Sequence, residues 1–213
     1  MNTLNCVQVR EMLLHTAAKI IDSKPYLTEV DSKIGDGDHG IGMSRGMEKA
    51  TEKLNSLTEA TDVYQLFSEM GKTLLMSMGG ASGVIFGTMF MGGAKGKTPT
   101  AEISAADFTA MMNDSLNAII ARGGAHVGDK TMIDALSPAV DALKANAEGG
   151  YAVMLHEAEK AARSGMENTK NFQAKFGRAK SLMERSIGYQ DAGATSVWLI
   201  FQAMSEYVEG AEK

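Results

Sequence analysis

Along this chain the apolar residues recur at intervals of three and four almost from end to end, and no stretch alternates with a period of two for any convincing length. That pattern commits the backbone to helices. Val9, Met12, Leu13, Ala17, Ile20 and Ile21 mark one helical face over residues 7–21, and Pro25 then interrupts the pattern or begins a new turn. Met43, Met47, Ala50 and Leu54 mark a second helix over 43–54. Val63 to Met78 mark a third, which stops at Gly79-Gly80. Residues 81–96, ASGVIFGTMFMGGAKG, are apolar nearly all round and read as a buried helix or a buried strand; helical neighbours favour helix. Ser104 and Asp107 form an S-x-x-D start signal for a helix reaching Ile119 or Ile120, and further helices are predicted over 132–147, 151–167, 173–186 and 193–209. With about eight helices, no internal repeat and no linker long enough to separate one core from another, the expected fold is all-α, a single domain over residues 1–213.

Composition narrows the class. Hydrophobic residues make up 44% and charged residues 22% of the 213, which fits neither a disordered nor a membrane protein. A net charge of −5 argues against nucleic acid as a ligand, since that affinity needs clustered Lys and Arg. Cys6 is alone, so no intrachain disulfide forms, and it reads as a small apolar packing residue. Charged residues such as Arg10, Glu11, Lys19 and Asp22 break up the first thirty positions and leave no signal or spanning run, so a cytoplasmic location is expected. The 16 methionines read as core filler, with Met47, Met70, Met78, Met89, Met111 and Met112 at core-like spacings, and His15 reads as a surface or satisfied residue.

One segment does not fit a helical core. IGDGDHGIGMSRGM, residues 34–47, follows Asp31 closely, and in it Asp36 and Asp38 alternate with glycine. Three carboxylates held that close repel one another unless a cation intervenes, and all-oxygen ligation suits Mg2+ or Ca2+. The spacing misses the twelve-residue calcium loop, because the twelfth position from Asp36 is Met47. Magnesium, shared with phosphate oxygens, fits better; a solvated acidic turn with Asp38 capping the next helix is the alternative. Glycine-containing turns also occur at GGASG (79–83), RGGAHVGDKTM (122–132), KFGRAK (175–180) and DAGATS (191–196). A glycine turn ahead of a helix exposes unpaired N–H groups where phosphate binds well, and several at one rim would make a nucleotide site. No Walker A or G-x-G-x-x-G pattern is present, so a nucleotide would be held in another way.

Taken together, IGDGDHGIGMSRG, GGASG, GDKTM, GRA and ERSIGYQDAGATS, in this order and at roughly this spacing, resemble the nucleotide-binding L subunit of dihydroxyacetone kinases, from about residue 4 to the C-terminus. The resemblance implies an antiparallel eight-helix barrel with the nucleotide, ADP or ATP, at one end. It implies that Asp31, Asp36 and Asp38 chelate two Mg2+ ions and that His39, Gly40, Ile41 and Gly42 follow them into the site. It also implies that Ala81 and Ser82 grip phosphate, that Gly123 and Met132 contact the adenosine, and that Arg178, Asp191, Ala192 and Gly193 complete the wall. Gly42 stands where the family often has asparagine, and Ala192 where it has proline.

In relatives supplied by the bacterial phosphotransferase system, ADP stays bound as a cofactor, an M subunit rephosphorylates it, and the phosphoryl group passes to dihydroxyacetone held by a K subunit. The implied activity is thus that of a phosphoenolpyruvate–glycerone phosphotransferase. No general base is evident in this chain; Arg178 is its one candidate charge stabiliser. An ADP-binding regulatory module, or a subunit that uses free ATP to phosphorylate another small ketose, are the alternatives. Whether the chain forms a homodimer is not written in its sequence.

Overall fold

A computed structural model describes residues 1–211; Glu212 and Lys213, the last two of the expected 1–213 domain, lie outside the described residues. Nine α-helices are described: α1 (Cys6–Asp22), α2 (Lys24–Ile34), α3 (His39–Asn55), α4 (Val63–Met78), α5 (Gly80–Met91), α6 (Ala105–Gly123), α7 (Ile133–Asn146), α8 (Gly150–Asn168) and α9 (Ala192–Ala211). Two short strands, β1 (Thr3–Asn5) and β2 (Glu102–Ser104), pair antiparallel with Leu4 opposite Ile103.

Eight of the helices close a ring. Neighbours pack in the order α1, α3, α4, α5, α6, α7, α8, α9, and α9 returns to α1. The ring is the expected barrel; α2 is additional and lies against α3 and α9. Inside it the stripes read from the sequence are buried: Val9, Met12, Leu13, Ala17 and Ile20 of α1 are inaccessible to solvent, and the six methionines singled out above are all buried. Residues 80–91 are helical, so the apolar run 81–96 is a helix as far as Met91 and turns over 92–96. Gly71 of α4 and Gly87 of α5 let these two helices touch backbone to backbone: a Cβ at Gly71 would lie 2.5 Å from the Gly87 carbonyl oxygen.

Caps set several of the ends. Asn5 accepts from the Gln8 amide while Gln8 accepts from that of Asn5, both at 3.0 Å, closing a capping box on α1. Ser104 accepts from the Asp107 amide, as its motif predicts. The β1–β2 ribbon leads into α1 and α6 at one end of the ring, which leaves the starts of α3, α5, α7 and α9 at the other.

Of the two readings of Pro25 the second holds, since the proline lies in the first turn of a further helix, α2, where its missing N–H costs nothing. Two expectations are corrected. The next helix starts at His39, four residues before the expected Met43, so His39–Gly42 form its first turn. The helix predicted over 173–186 is instead an irregular stretch followed by 3-10 turns from Arg178 to Ser186, broken at Met183 (φ 52°, ψ −127°). Only Ser186 of those nine residues is buried, so there is no apolar face to hold an α-helix. His15 is half-exposed and lies 3.6 Å from Glu206, as a surface residue should. No helix among the described residues is long and apolar enough to cross a membrane.

Candidate functional site

The end of the ring opposite the ribbon opens into a cleft of about 620 Å3, bordered by the first turns of α3, α5 and α9, the approach to α7, and the stretch around Phe176–Ala179. A cavity of this size accommodates a mononucleotide. An antiparallel ring brings alternate helix starts to the same rim, so the first-turn N–H groups and positive dipole ends of several helices converge there. At α5 the approach is made by Gly79, which holds φ 74° and so turns the chain sharply from α4 into the Gly80–Ser82 turn.

The acidic cluster forms on that rim. Asp31 sits in the last turn of α2, Asp36 on the connection and Asp38 just before α3, and each offers a carboxylate oxygen within 4.8 Å of the others. The capping alternative is not realised: Asp38 occupies the N-cap position, but its side chain makes no cap hydrogen bond. Asp31 accepts from the His39 amide at 3.3 Å. Among the described residues one cation pairs with the three, Arg178, whose Nε lies 2.7 Å from Asp36. Burial and the adjacent Asp36 carboxylate push the Asp38 carboxyl above its ordinary value. Three close oxygens of like charge with one exposed arginine as counter-ion are a donor set suited to a hard divalent cation.

The walls carry the remaining residues. His39, its ring nitrogen Nε2 2.8 Å from Ser196 Oγ, is kept neutral by burial, which lowers its pKa. Asp191 accepts from the Ala194 amide at 2.7 Å as the N-cap of α9, and burial pushes its carboxyl up to about 7. Asp31, Asp36, Asp38, His39, Ile41, Gly42, Ala81, Ser82, Met132, Arg178, Asp191, Ala192 and Gly193 all line the cleft. Two expected residues do not. Gly40 faces α2, where a Cβ would lie 2.5 Å from the Lys24 carbonyl oxygen; Gly123 is exposed at the end of α6, its nearest neighbour being Ile85, a cleft residue.

The structure adds residues that the sequence reading passed over. Arg45 of α3 lines the cleft and donates to the Met78 carbonyl at 2.8 Å, tying α3 to the end of α4. Ile85, Phe86 and Phe176 give the cleft an apolar side. Lys130 and Thr131 lie on the approach to α7, within the GDKTM segment, whose lysine was the available signal. The walls hold four carboxylates against the cations Arg45, Lys130 and Arg178, and at the corner where Asp31, Asp36 and Asp38 gather a bare polyphosphate is repelled unless a cation intervenes.

The family model described as the DAK2 domain matches residues 33–206 of the chain. The ADP-binding subunit DhaL of PEP-dependent dihydroxyacetone kinase from Escherichia coli is 41% identical over 182 residues, covering 84% of this chain and 86% of that protein. The ADP-binding subunit DhaL of PTS-dependent dihydroxyacetone kinase from Lactococcus lactis subsp. lactis is 37% identical, covering 89% and 91%. Among solved structures, the dihydroxyacetone kinase from C. freundii in complex with AMP-PNP and Mg2+ superposes with a TM-score of 0.73 at 26% identity, over 97% of this chain but 34% of that longer one. With an eight-helix ring, an acidic cluster at its mouth and matches over most of its length, this chain belongs to the DAK2 domain family.

Proposed function

We infer that this chain is the nucleotide-binding subunit of a dihydroxyacetone kinase, serving as one domain over residues 1–213 and carrying ADP or ATP in the cleft. The observation that carries the reading is the convergence of Asp31, Asp36 and Asp38 at a rim where helix N-termini gather. It matches 86% and 91% of the ADP-binding subunits DhaL from E. coli and L. lactis, which supports the subunit type supplied by the phosphotransferase system.

In this reading the three aspartates hold two Mg2+ ions against the phosphates. When bound, the ions would neutralise the charge of the phosphates and stabilise what develops on them during transfer. Phosphoryl transfer passes through a loose, charge-spread transition state, so the protein's role is to position and to stabilise. Ala81 and Ser82 orient the phosphates at the start of α5. Arg178, 70% exposed at its side chain and thus free to turn from Asp36 toward a phosphate, supplies the mobile positive charge. His39, Ile41 and Gly42 border the phosphates on one side, Asp191, Ala192 and Gly193 on the other, while Met132 and the neighbouring apolar residues seat the base, with Gly123 at the outer edge. His39 Nε2 is engaged by Ser196 Oγ and the Asp191 carboxylate by the Ala194 amide of α9, so the base for the acceptor hydroxyl is assigned to the dihydroxyacetone-bearing K subunit. An M subunit recharges ADP in place. The protein works in the cytoplasm, with neither nucleic acid nor membrane as partner; nothing in the site requires a homodimer.

Reconstituted turnover tests this. With a K-type partner, phosphoenolpyruvate-driven transfer to dihydroxyacetone is expected only when the M protein is present. Turnover on free ATP alone contradicts the bound-ADP version, and Mg·ADP binding without turnover favours a regulatory module.

A further inference from the structure

The most unusual residue of the molecule is Lys130. It is 2% exposed, and it holds φ 60°, in the left-handed region that side chains other than glycine rarely adopt. A buried ammonium costs several kcal/mol of desolvation, and the backbone conformation adds about 1 kcal/mol, so its surroundings must over-determine it. They do so through two carbonyls. Nζ donates to Thr169 O at 2.6 Å and to Tyr189 O, while the nearby Asp191 and Asp134 carboxylates compensate the charge.

Those two carbonyls are the feet of one structure. Residues 170–188 leave the end of α8 and return ahead of α9 as a strap, whose middle carries Phe176, Gly177 and Arg178 into the cleft wall. Other bonds join its feet: Gly188 N to Lys170 O at 2.8 Å and Asp191 N to Thr169 Oγ1 at 2.9 Å. The residue before Lys130 takes hold further along, because Asp129 O accepts from Lys175 N at 3.1 Å and Asp129 Oδ1 pairs with Lys175 Nζ at 2.7 Å. The strap has almost no apolar anchorage of its own. Its 3-10 half buries only Ser186, and it breaks at Met183.

We propose that Lys130 is a positioning residue: by clamping the Thr169 and Tyr189 carbonyls it sets the strap's height over the cleft, and so where Phe176 and Arg178 meet the nucleotide. An ammonium suits the task because its three donors radiate from one point, so it gathers carbonyls that approach from different directions. The proposal rests on the nucleotide reading of the cleft for its last step, but not for the clamp.

The test uses the full chain with Lys130→Met, which keeps the bulk and removes the donors. Trypsin, applied well below the melting transition, is expected to nick the strap at Lys175, Arg178, Lys180 and Arg185 about tenfold faster than in the native chain, with cleavage elsewhere unchanged. Mg·ADP affinity should fall about tenfold or more, because a wall displaced by an ångström loses its contacts, while Mn2+ binding in the absence of nucleotide stays native. A folded variant with native nicking and native ADP affinity overturns the proposal. So does one that is cut faster everywhere in step with a lower melting temperature, since that describes a purely structural lysine. If Lys130→Met does not fold, Lys130→Gln, which keeps two N–H donors and loses the charge, takes its place with an intermediate effect in the same pattern, and native nicking again overturns the clamp. If the native chain binds no ADP, the nucleotide reading falls, and the nicking pattern still decides the clamp.

Discussion

Replacing Asp38 by asparagine removes one of three carboxylates whose oxygens lie within 4.8 Å of one another, and the consequence can be worked out from that distance. Two like charges 4.8 Å apart repel by about 0.9 kcal/mol at the dielectric of water and about 3.5 kcal/mol at an effective value of 20. Asp38 is exposed, so the lower figure governs. It has two neighbours, but Arg178 at 2.7 Å cancels much of the Asp36 charge, leaving a relief of about 1 kcal/mol. No cap hydrogen bond is lost, but the attraction of Asp38 to Arg178 and to the α3 N-terminus offsets part of this gain. In chelator, Asp38→Asn should therefore melt about 1–2 °C above the native chain. Magnesium with ADP should reverse the order. Ligand at a hundred times its Kd stabilises the native protein by about 2.7 kcal/mol, and the variant should gain almost none of it. Thermal melts of both proteins, with chelator and with Mg·ADP, measure all four values. A variant that melts lower in chelator refutes the repulsion, and one that keeps the full magnesium response refutes Asp38 as a ligand.

Other substitutions probe the site and the ring. Arg178→Ala, which breaks one exposed ion pair, should change stability by less than about 1 kcal/mol yet slow phosphoryl transfer about a hundredfold in the reconstituted system; unchanged turnover denies it the charge-stabilising role. The raised Asp191 carboxyl makes a pH signature. Its folded value of about 7 exceeds the unfolded 3.8, so its contribution to stability is fully present below pH 3.8 and lost as pH rises through 7. Asp191→Asn, which can still cap α9, should remove that decline and stabilise the chain at pH 8 by about 2 kcal/mol after allowance for partial exposure; parallel pH curves for the two proteins contradict it. Gly71→Ala drives a methyl to within 2.5 Å of the Gly87 carbonyl oxygen and should cost about 1–3 kcal/mol in urea unfolding; a neutral result means that α4 and α5 are packed less tightly.

Much of this was legible because most helices of the ring bury a stripe, and a stripe writes its period into the sequence. The stripes of α1, α4 and α6 are examples, and Asn5, Gly79 and Ser104 stand at their ends. The acidic cluster was legible for a different reason. Asp31, Asp36 and Asp38 are close along the chain, so sequence proximity stood in for spatial proximity. What could not be read was whatever depends on distant segments meeting. Lys130 looks like a surface lysine until Thr169 and Tyr189 close over it, and Arg45 finds its acceptor on another helix. The strap misled: a helix was expected over 173–186, but Leu182 is left half-covered and the backbone turns at Gly177 and Met183 instead. Gly40 shows the limit of transferring a motif residue by residue, since within one helical turn neighbouring positions face different partners, and its own is α2.

In the proposed function the three aspartates trap divalent cations against a polyphosphate. Crystals grown with ADP and with Mn2+ in place of magnesium, measured at the manganese absorption edge, test it directly. Two anomalous peaks are expected, each between the Asp31, Asp36 and Asp38 carboxylates and the diphosphate at the start of α5. Peaks absent from that rim, with the carboxylates turned to solvent and ADP bound elsewhere, would contradict it.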